Sequence, residues 1–152
     1  MLEGEPKTRI YLDTNVYKRP FDDQGQPRIW LETLAFGVIL QMVEGGEIGL
    51  VSSAVVEYEN SRNPFPLRKA WVVRCLGLAN HRQVLNRAII ERAQWLETQG
   101  IGPLDALHIA CAEASNSRYF LTCDDRVVGR YVGELKVLNP VDYVMSVVGE
   151  QL

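Results

Sequence analysis

Four carboxylates stand out by where they fall relative to apolar runs. Asp13 ends the run Ile10-Tyr11-Leu12 in "RIYLDTNVYKR", and Asp124 follows the run in "RYFLTCDD". Asp105 comes just after Gly102-Pro103 in "GPLDALHIACA", and Glu59 follows the pair Ser52-Ser53 in "SSAVVEYEN". A charge kept only for solubility could sit anywhere. A charge at the carboxyl end of a strand sits where open α/β folds place their ligands. Carboxylates gathered at one edge repel one another, and some stay protonated unless a counter-ion joins them. Hard divalent cations relieve that repulsion. Mg²⁺ uses a few carboxylates, keeps several waters and leaves positions for a substrate phosphate. Such a site suits phosphodiester hydrolysis, in which the metal activates a water and neutralises the leaving oxygen. There is no His-rich or Cys-rich cluster to favour zinc.

Each acid also has a structural explanation. Asp105 and Asp125 in first helical turns would complement a helix dipole, Asp124 could cap the helix after it, and Glu59 could be a solvated surface charge. Singly, those explanations suffice for all but Asp13. Together, four acids at four element ends point to one shared edge.

The elements that must position them follow from pattern and punctuation. Residues 9–13 read as a first strand, and "DDQGQP" (22–27) as a loop. Residues 28–44 carry apolar side chains at helical spacing and stop at Gly45-Gly46. "IGLV" (48–51) is a second strand, with Ser52 or Ser53 capping a helix to about Ser61. "NPFP" breaks that helix, and a further helix runs over 67–77. Asn86 to Gly100 is helical, and Pro103 opens another helix. Residues 118–122 and 135–139 supply a third and a fourth strand, with a short helix between them and a helical tail from Pro140. Strands alternating with helices predict an α/β fold with a small parallel sheet. His81 falls in a polar loop.

The chain has 152 residues and is 47% hydrophobic, enough for one core, so one domain over 1–152 is expected. No apolar run approaches the roughly 18 residues of a membrane helix. The opening "MLEGEPKTR" lacks the basic-then-apolar order of a signal peptide, so a soluble, cytoplasmic protein without a membrane partner is expected. Cys75, Cys111 and Cys123 are odd in number and form no Cys-x-x-Cys pair, which predicts reduced thiols. The net charge of −3 does not announce a nucleic-acid binder. A carboxylate cluster inside a basic rim would give the same sum.

"YLDTN", "SSAVVEYENSRNPF", "PLDALHIACA" and "FLTCDD", in this order, resemble the PIN domain family, which includes VapC-type toxins of bacterial and archaeal toxin–antitoxin pairs. The resemblance spans nearly the whole chain. It implies an α/β/α sandwich with a central parallel sheet of four to five strands. It also implies a metal-dependent endoribonuclease holding one or two Mg²⁺ or Mn²⁺ ions. Carried over residue by residue, it gives Asp13, Asp105 and Asp124 as the first, third and fourth acids. Thr14, Asn15 and Thr122 are the polar residues that flank them. The second acid is Glu59, with Glu57 in reserve. The two are about 200° apart around a helix, so only one can face the site. Asp125 beside Asp124 is a smaller ambiguity of the same kind. In-line hydrolysis of an RNA phosphodiester by metal-activated water would leave a 5′-phosphate and a 3′-hydroxyl. The resemblance also implies an RNA substrate, an antitoxin protein as partner, and a homodimer.

Arg19, Arg62 and Arg126 lie near these motifs and are candidate contacts for RNA phosphates. His108 shares a helix face with Asp105 but is given no role, since the acids alone suffice. Trp30, Trp71 and Trp95 are expected in the core rather than as base-stacking platforms. Two rivals remain. A phosphatase of the haloacid-dehalogenase type needs a second Asp where Asn15 stands. A PIN fold could instead serve as an RNA- or protein-binding scaffold without nuclease activity, yet every acid position here has a candidate.

Overall fold

Ile10, Tyr11 and Leu12 have no exposed surface, because the strand they form has a neighbour on each side and packed helices around it. That burial is what a continuous apolar run at the centre of a parallel sheet implies. The computed structural model describes residues 7–149, so "MLEGEP", part of the stretch considered above for a signal peptide, lies outside the described residues.

In chain order the elements are β1 (Arg9–Leu12), α1 (Thr14–Lys18), a 3₁₀ turn (Arg19–Phe21), α2 (Pro27–Glu44), β2 (Gly49–Ser53), α3 (Ala54–Ser61) and α4 (Pro66–Leu76). β3 (His81–Gln83), α5 (Arg87–Thr98), α6 (Pro103–Ala114), β4 (Tyr119–Leu121), α7 (Asp125–Arg130), β5 (Lys136–Leu138) and α8 (Pro140–Gly149) complete them. The five strands form one all-parallel sheet in the order β3-β2-β1-β4-β5, flanked by helices. The α/β class and parallel sheet predicted from the sequence are therefore observed. Tyr11 pairs with Val51 on one side and Phe120 on the other, so β1 is the central strand.

This strand order decides where a ligand can bind. From β1 the chain moves outward to β2 and β3, then crosses back to build β4 and β5 on the other side. The change of direction opens a crevice at the carboxyl ends of β1 and β4. Asp13 and Thr122 are the residues that follow those two strands. A backbone hydrogen bond from Asp13 N to Leu121 O, 2.9 Å, continues the β1–β4 pairing right up to the acid.

Local chemistry sets the helix starts. Ser53 caps α3 by accepting from Val56 N, and Asn86 caps α5 by accepting from Ile89 N. Pro103 opens α6, where a missing N–H costs nothing. Gly100 takes φ +90° just after α5, a conformation that a side chain would strain.

Three expectations are corrected, and one helix is added to them. His81 is not in a loop: it begins β3, an edge strand of only three polar residues that carries no apolar signal. β2 extends through Ser52 and Ser53, both buried. α1 was too short to show a helical period. Trp30 and Trp95 are not core residues: they are 51% and 48% exposed, whereas Trp71 packs on the core and donates its indole N–H to Tyr17 O. The three cysteines are free and buried, as expected. Among the described residues, no helix is long and apolar enough to cross a membrane.

Candidate functional site

Asp13 is only 4% exposed, because it sits at the mouth of the crevice rather than beyond it. Its Oδ2 accepts from Thr122 Oγ1 at 2.8 Å and from Asn15 Nδ2 at 3.2 Å. Asn15 also accepts from Cys123 N at 3.1 Å, and Thr122 Oγ1 accepts from Asp124 N at 3.1 Å. Thr122 and Asn15 thus tie the end of β1 to the turn after β4 and hold Asp13 in one orientation. None of these groups is cationic. Burial pushes the Asp13 carboxyl above its ordinary range, with the charge of Glu59 adding; His108 and the Thr122 hydroxyl oppose the rise.

Glu59 reaches the same place from α3. Its Oε1 accepts from Thr14 Oγ1 at 2.9 Å and is hydrogen-bonded to His108 Nε2. Burial raises this carboxyl, but the hydrogen bonds from His108 and Thr14 outweigh it and leave the group below its usual range. Glu57 points elsewhere: Arg82 binds it through Nε and Nη2 on the exposed surface. The two-residue spacing on a helix therefore separates the pair, with Glu59 in the crevice and Glu57 outside it.

Asp105, in the first turn of α6, lines a cleft of about 240 Å³ together with Asp13, Thr14, Asn15, Lys18 and Glu59. Burial pushes its carboxyl up to about 6, and the neighbouring charge of Asp13 contributes next. Asp105 also lines an adjoining cleft of about 140 Å³ with Asp124 and Arg126. Asp124 is the fourth predicted acid, and it is already engaged. It caps α7 by accepting from Arg126 N at 2.9 Å, and the Arg126 guanidinium lies 3.2 Å from its Oδ2. That hydrogen bonding holds Asp124 below its ordinary range. Asp125 instead forms a two-pronged pair with Arg28 at 2.7 Å.

Asp13, Glu59 and Asp105 thus face one cleft, and Asp124 stands next door across Asp105. Asp13, Glu59 and His108 bring a ligand atom each to within 4.8 Å of one another. This donor set fits a divalent cation, since hard oxygens dominate, and burial pushes up the carboxyls of Asp13 and of the neighbouring Asp105.

The arginine expectations divide. Arg19 does not itself line the cleft; it pairs with the buried Glu32 at 2.9 Å and with Asp22, which does line it, at 3.0 Å. Lys18, one residue earlier, lines the cleft in its place. Arg126 is at the site, clasping Asp124, while Arg62 packs against Tyr58 on the surface. Sequence reasoning gave no role to His108 or Tyr11 and read Ser53 only as a helix cap. Signals were present for the first two. His108 lies one turn beyond Asp105, and Tyr11 lies two residues before Asp13, on the same face of β1.

The profile of the PIN domain matches residues 10–131. The chain belongs to the PIN domain family. No curated protein matches the sequence. Among solved structures, this PIN domain is similar to FitAcB from Neisseria gonorrhoeae, with a TM-score of 0.54 and 19% identity over 86% of this chain and 97% of that one. It is also similar to VapBC2 from Rickettsia felis, a structure bound to a DNA fragment from their promoter. There the TM-score is 0.55 and the identity 15%, over 87% of this chain and 98% of that one. At these identities the likeness concerns the fold of the PIN domain alone.

Proposed function

We propose that this PIN domain is a divalent-metal-dependent endoribonuclease, with Asp13, Glu59, Asp105 and Asp124 as its acids and Mg²⁺ or Mn²⁺ as its cofactor. The observation that carries the reading is the cleft shared by Asp13, Glu59 and Asp105, where burial and mutual charge push two of the three carboxyls upward. An acidic cleft at the switch point of a parallel sheet, kept under-neutralised by its own protein, is arranged for a cation from outside.

A bound cation would activate a water and neutralise charge on the leaving oxygen. The chain's own residues do the rest. Thr122 and Asn15 fix the Asp13 carboxylate, and Thr14 fixes that of Glu59. Lys18 at one cleft and Arg126 at the other offer positive charge to the phosphates flanking the scissile bond. Asp124, restrained by Arg126, would act at the second cleft rather than the first. Arg62, at the end of α3, would extend the basic track.

We further propose that the chain is the toxin of a type II toxin–antitoxin pair, with an antitoxin protein as partner, and that it forms a homodimer. Support comes from its motifs, which resemble those of VapC-type toxins, and from the shared fold with VapBC2.

Labelled total RNA incubated with the protein tests the enzymatic reading. Cleavage is expected in Mn²⁺ and absent in EDTA, with products that carry 5′-phosphates. Asp13→Asn and Glu59→Gln should abolish it, whereas Glu57→Gln should leave it unchanged. Cleavage that persists in EDTA or in Asp13→Asn would overturn the proposal.

A further inference from the structure

His108 is completely enclosed, yet it does not sit among apolar atoms alone. Its Nδ1 lies 2.7 Å from the Tyr11 hydroxyl, which in turn lies 2.5 Å from Ser53 Oγ, and that oxygen accepts from Val56 N at 3.1 Å. Its Nε2 faces the opposite way, hydrogen-bonded to Glu59 Oε1 and 4.0 Å from Asp13 Oδ1. A buried histidine needs a partner for each ring nitrogen, and the two partners of His108 are of opposite kinds. Here one nitrogen is held from behind by a buried relay, and the other points at two carboxylates. An Nε2–H proton directed at Glu59 joins these groups, and a divalent cation entering between the two carboxylates would take the place of that proton.

We infer that His108 Nε2 is a nitrogen ligand of the site's cation. Asp13, Glu59 and His108 then form a mixed carboxylate–imidazole centre that takes a first-row transition cation such as Mn²⁺ in preference to Mg²⁺. The inference rests on the metal-dependent reading above. Tyr11 makes it chemically consistent. When its hydroxyl proton is donated to Ser53 Oγ, the phenol oxygen accepts Nδ1–H of His108. The Nε2 lone pair is then left for a metal, the arrangement by which ligating imidazoles are held in place. Tyr11 is fully buried, so the relay is shielded from competing water. An imidazole among the donors moves a site away from Mg²⁺, which selects oxygen, toward the transition series.

The test uses the whole untagged chain, loaded with Mn²⁺ and studied by pulsed electron paramagnetic resonance. The chain has two histidines, so an imidazole signal has only two possible sources. Nitrogen coupling to the bound Mn²⁺ is expected in the parent and in His81→Gln. It should change to the ¹⁵N pattern when the parent is grown with ¹⁵N-histidine, a measurement that needs no variant to fold. In calorimetric titrations, His108→Gln should weaken Mn²⁺ at least about tenfold while moving Mg²⁺ less, and Tyr11→Phe should weaken Mn²⁺ by about tenfold with the nitrogen coupling retained. Bound Mn²⁺ with oxygen ligation only, and unchanged affinity in His108→Gln, would overturn the inference and leave the nuclease reading standing. Failure of the parent to bind Mn²⁺ or Mg²⁺ at all would overturn both.

Discussion

Two carboxylates are buried among the described residues, and their surroundings are opposite. Glu32, on α2, is 1% exposed and meets Arg19 at 2.9 Å, Arg28 at 3.4 Å and the Asn139 amide at 2.5 Å. Burial alone would raise its carboxyl, but Asn139 and the two guanidiniums outweigh it and leave the group below its usual range. Asp13, 4% exposed, meets a hydroxyl, an amide, further carboxylates and the His108 imidazole at 4.0 Å, but no guanidinium, and burial pushes it up. The protein therefore does neutralise buried carboxylates where structure requires it. It withholds that treatment at the crevice between β1 and β4. An uncompensated cluster costs stability, so its persistence beside a compensated one marks it as a place where something else brings the charge.

The largest effect that could break this comparison is at Glu32. Glu32→Gln should lower unfolding stability by about 3 kcal/mol, because two arginines lose their shared acceptor. Urea denaturation checks it, and a change below 1 kcal/mol would mean that Glu32 is no better compensated than Asp13. Next is the metal response. Mn²⁺ at about 100 times its dissociation constant should stabilise the parent by about 2.7 kcal/mol. Asp13→Asn should lose most of that shift while remaining as stable as the parent in EDTA. Thermal unfolding of both proteins reads the two effects together.

A third test uses pH. Asp105 is an acid whose folded value, about 6, lies above its unfolded one, so it is protonated in both states at low pH and contributes no penalty there. As pH rises through the window between the unfolded value and about 6, the folded state is increasingly destabilised. Without metal, Asp105→Asn should therefore gain on the parent at pH 8 and show no advantage below pH 4. Equal stabilities at both pH values would remove the crowding from the comparison. The smallest effect is at Glu57→Gln. Its pair with Arg82 is exposed and screened by water, so urea denaturation should show almost no change in stability, and Mn²⁺ binding should be unchanged.

The sequence announced the fold through punctuation and runs: apolar stretches for β1, β2 and β4, caps at Ser53 and Asn86, Pro103 at a helix start. It announced Asp13 and Asp124 because each follows an apolar strand, and Asp105 because it follows a helix-opening proline. What it did not announce depends on distant partners. Tyr11 meets His108 across 97 positions, and Glu32 meets Asn139 across 107. Neither pairing leaves a local pattern, so His108 looked incidental and Glu32 looked like any mid-helix acid. β3 escaped notice for a different reason: His81, Arg82 and Gln83 form a strand through its backbone pairing with β2, not through apolar side chains.

The two outermost strands carry a consequence for solubility. β3 and β5 are three residues each, and both carry an exposed charged side chain, Arg82 in its pair with Glu57 and Lys136. Short margins that carry charged side chains are poor templates for strand addition. A second molecule approaching edge-on would gain few backbone hydrogen bonds and would have to strip water from charged groups. The sheet is thereby guarded against growing into fibrils, and association between copies is steered toward helical surfaces.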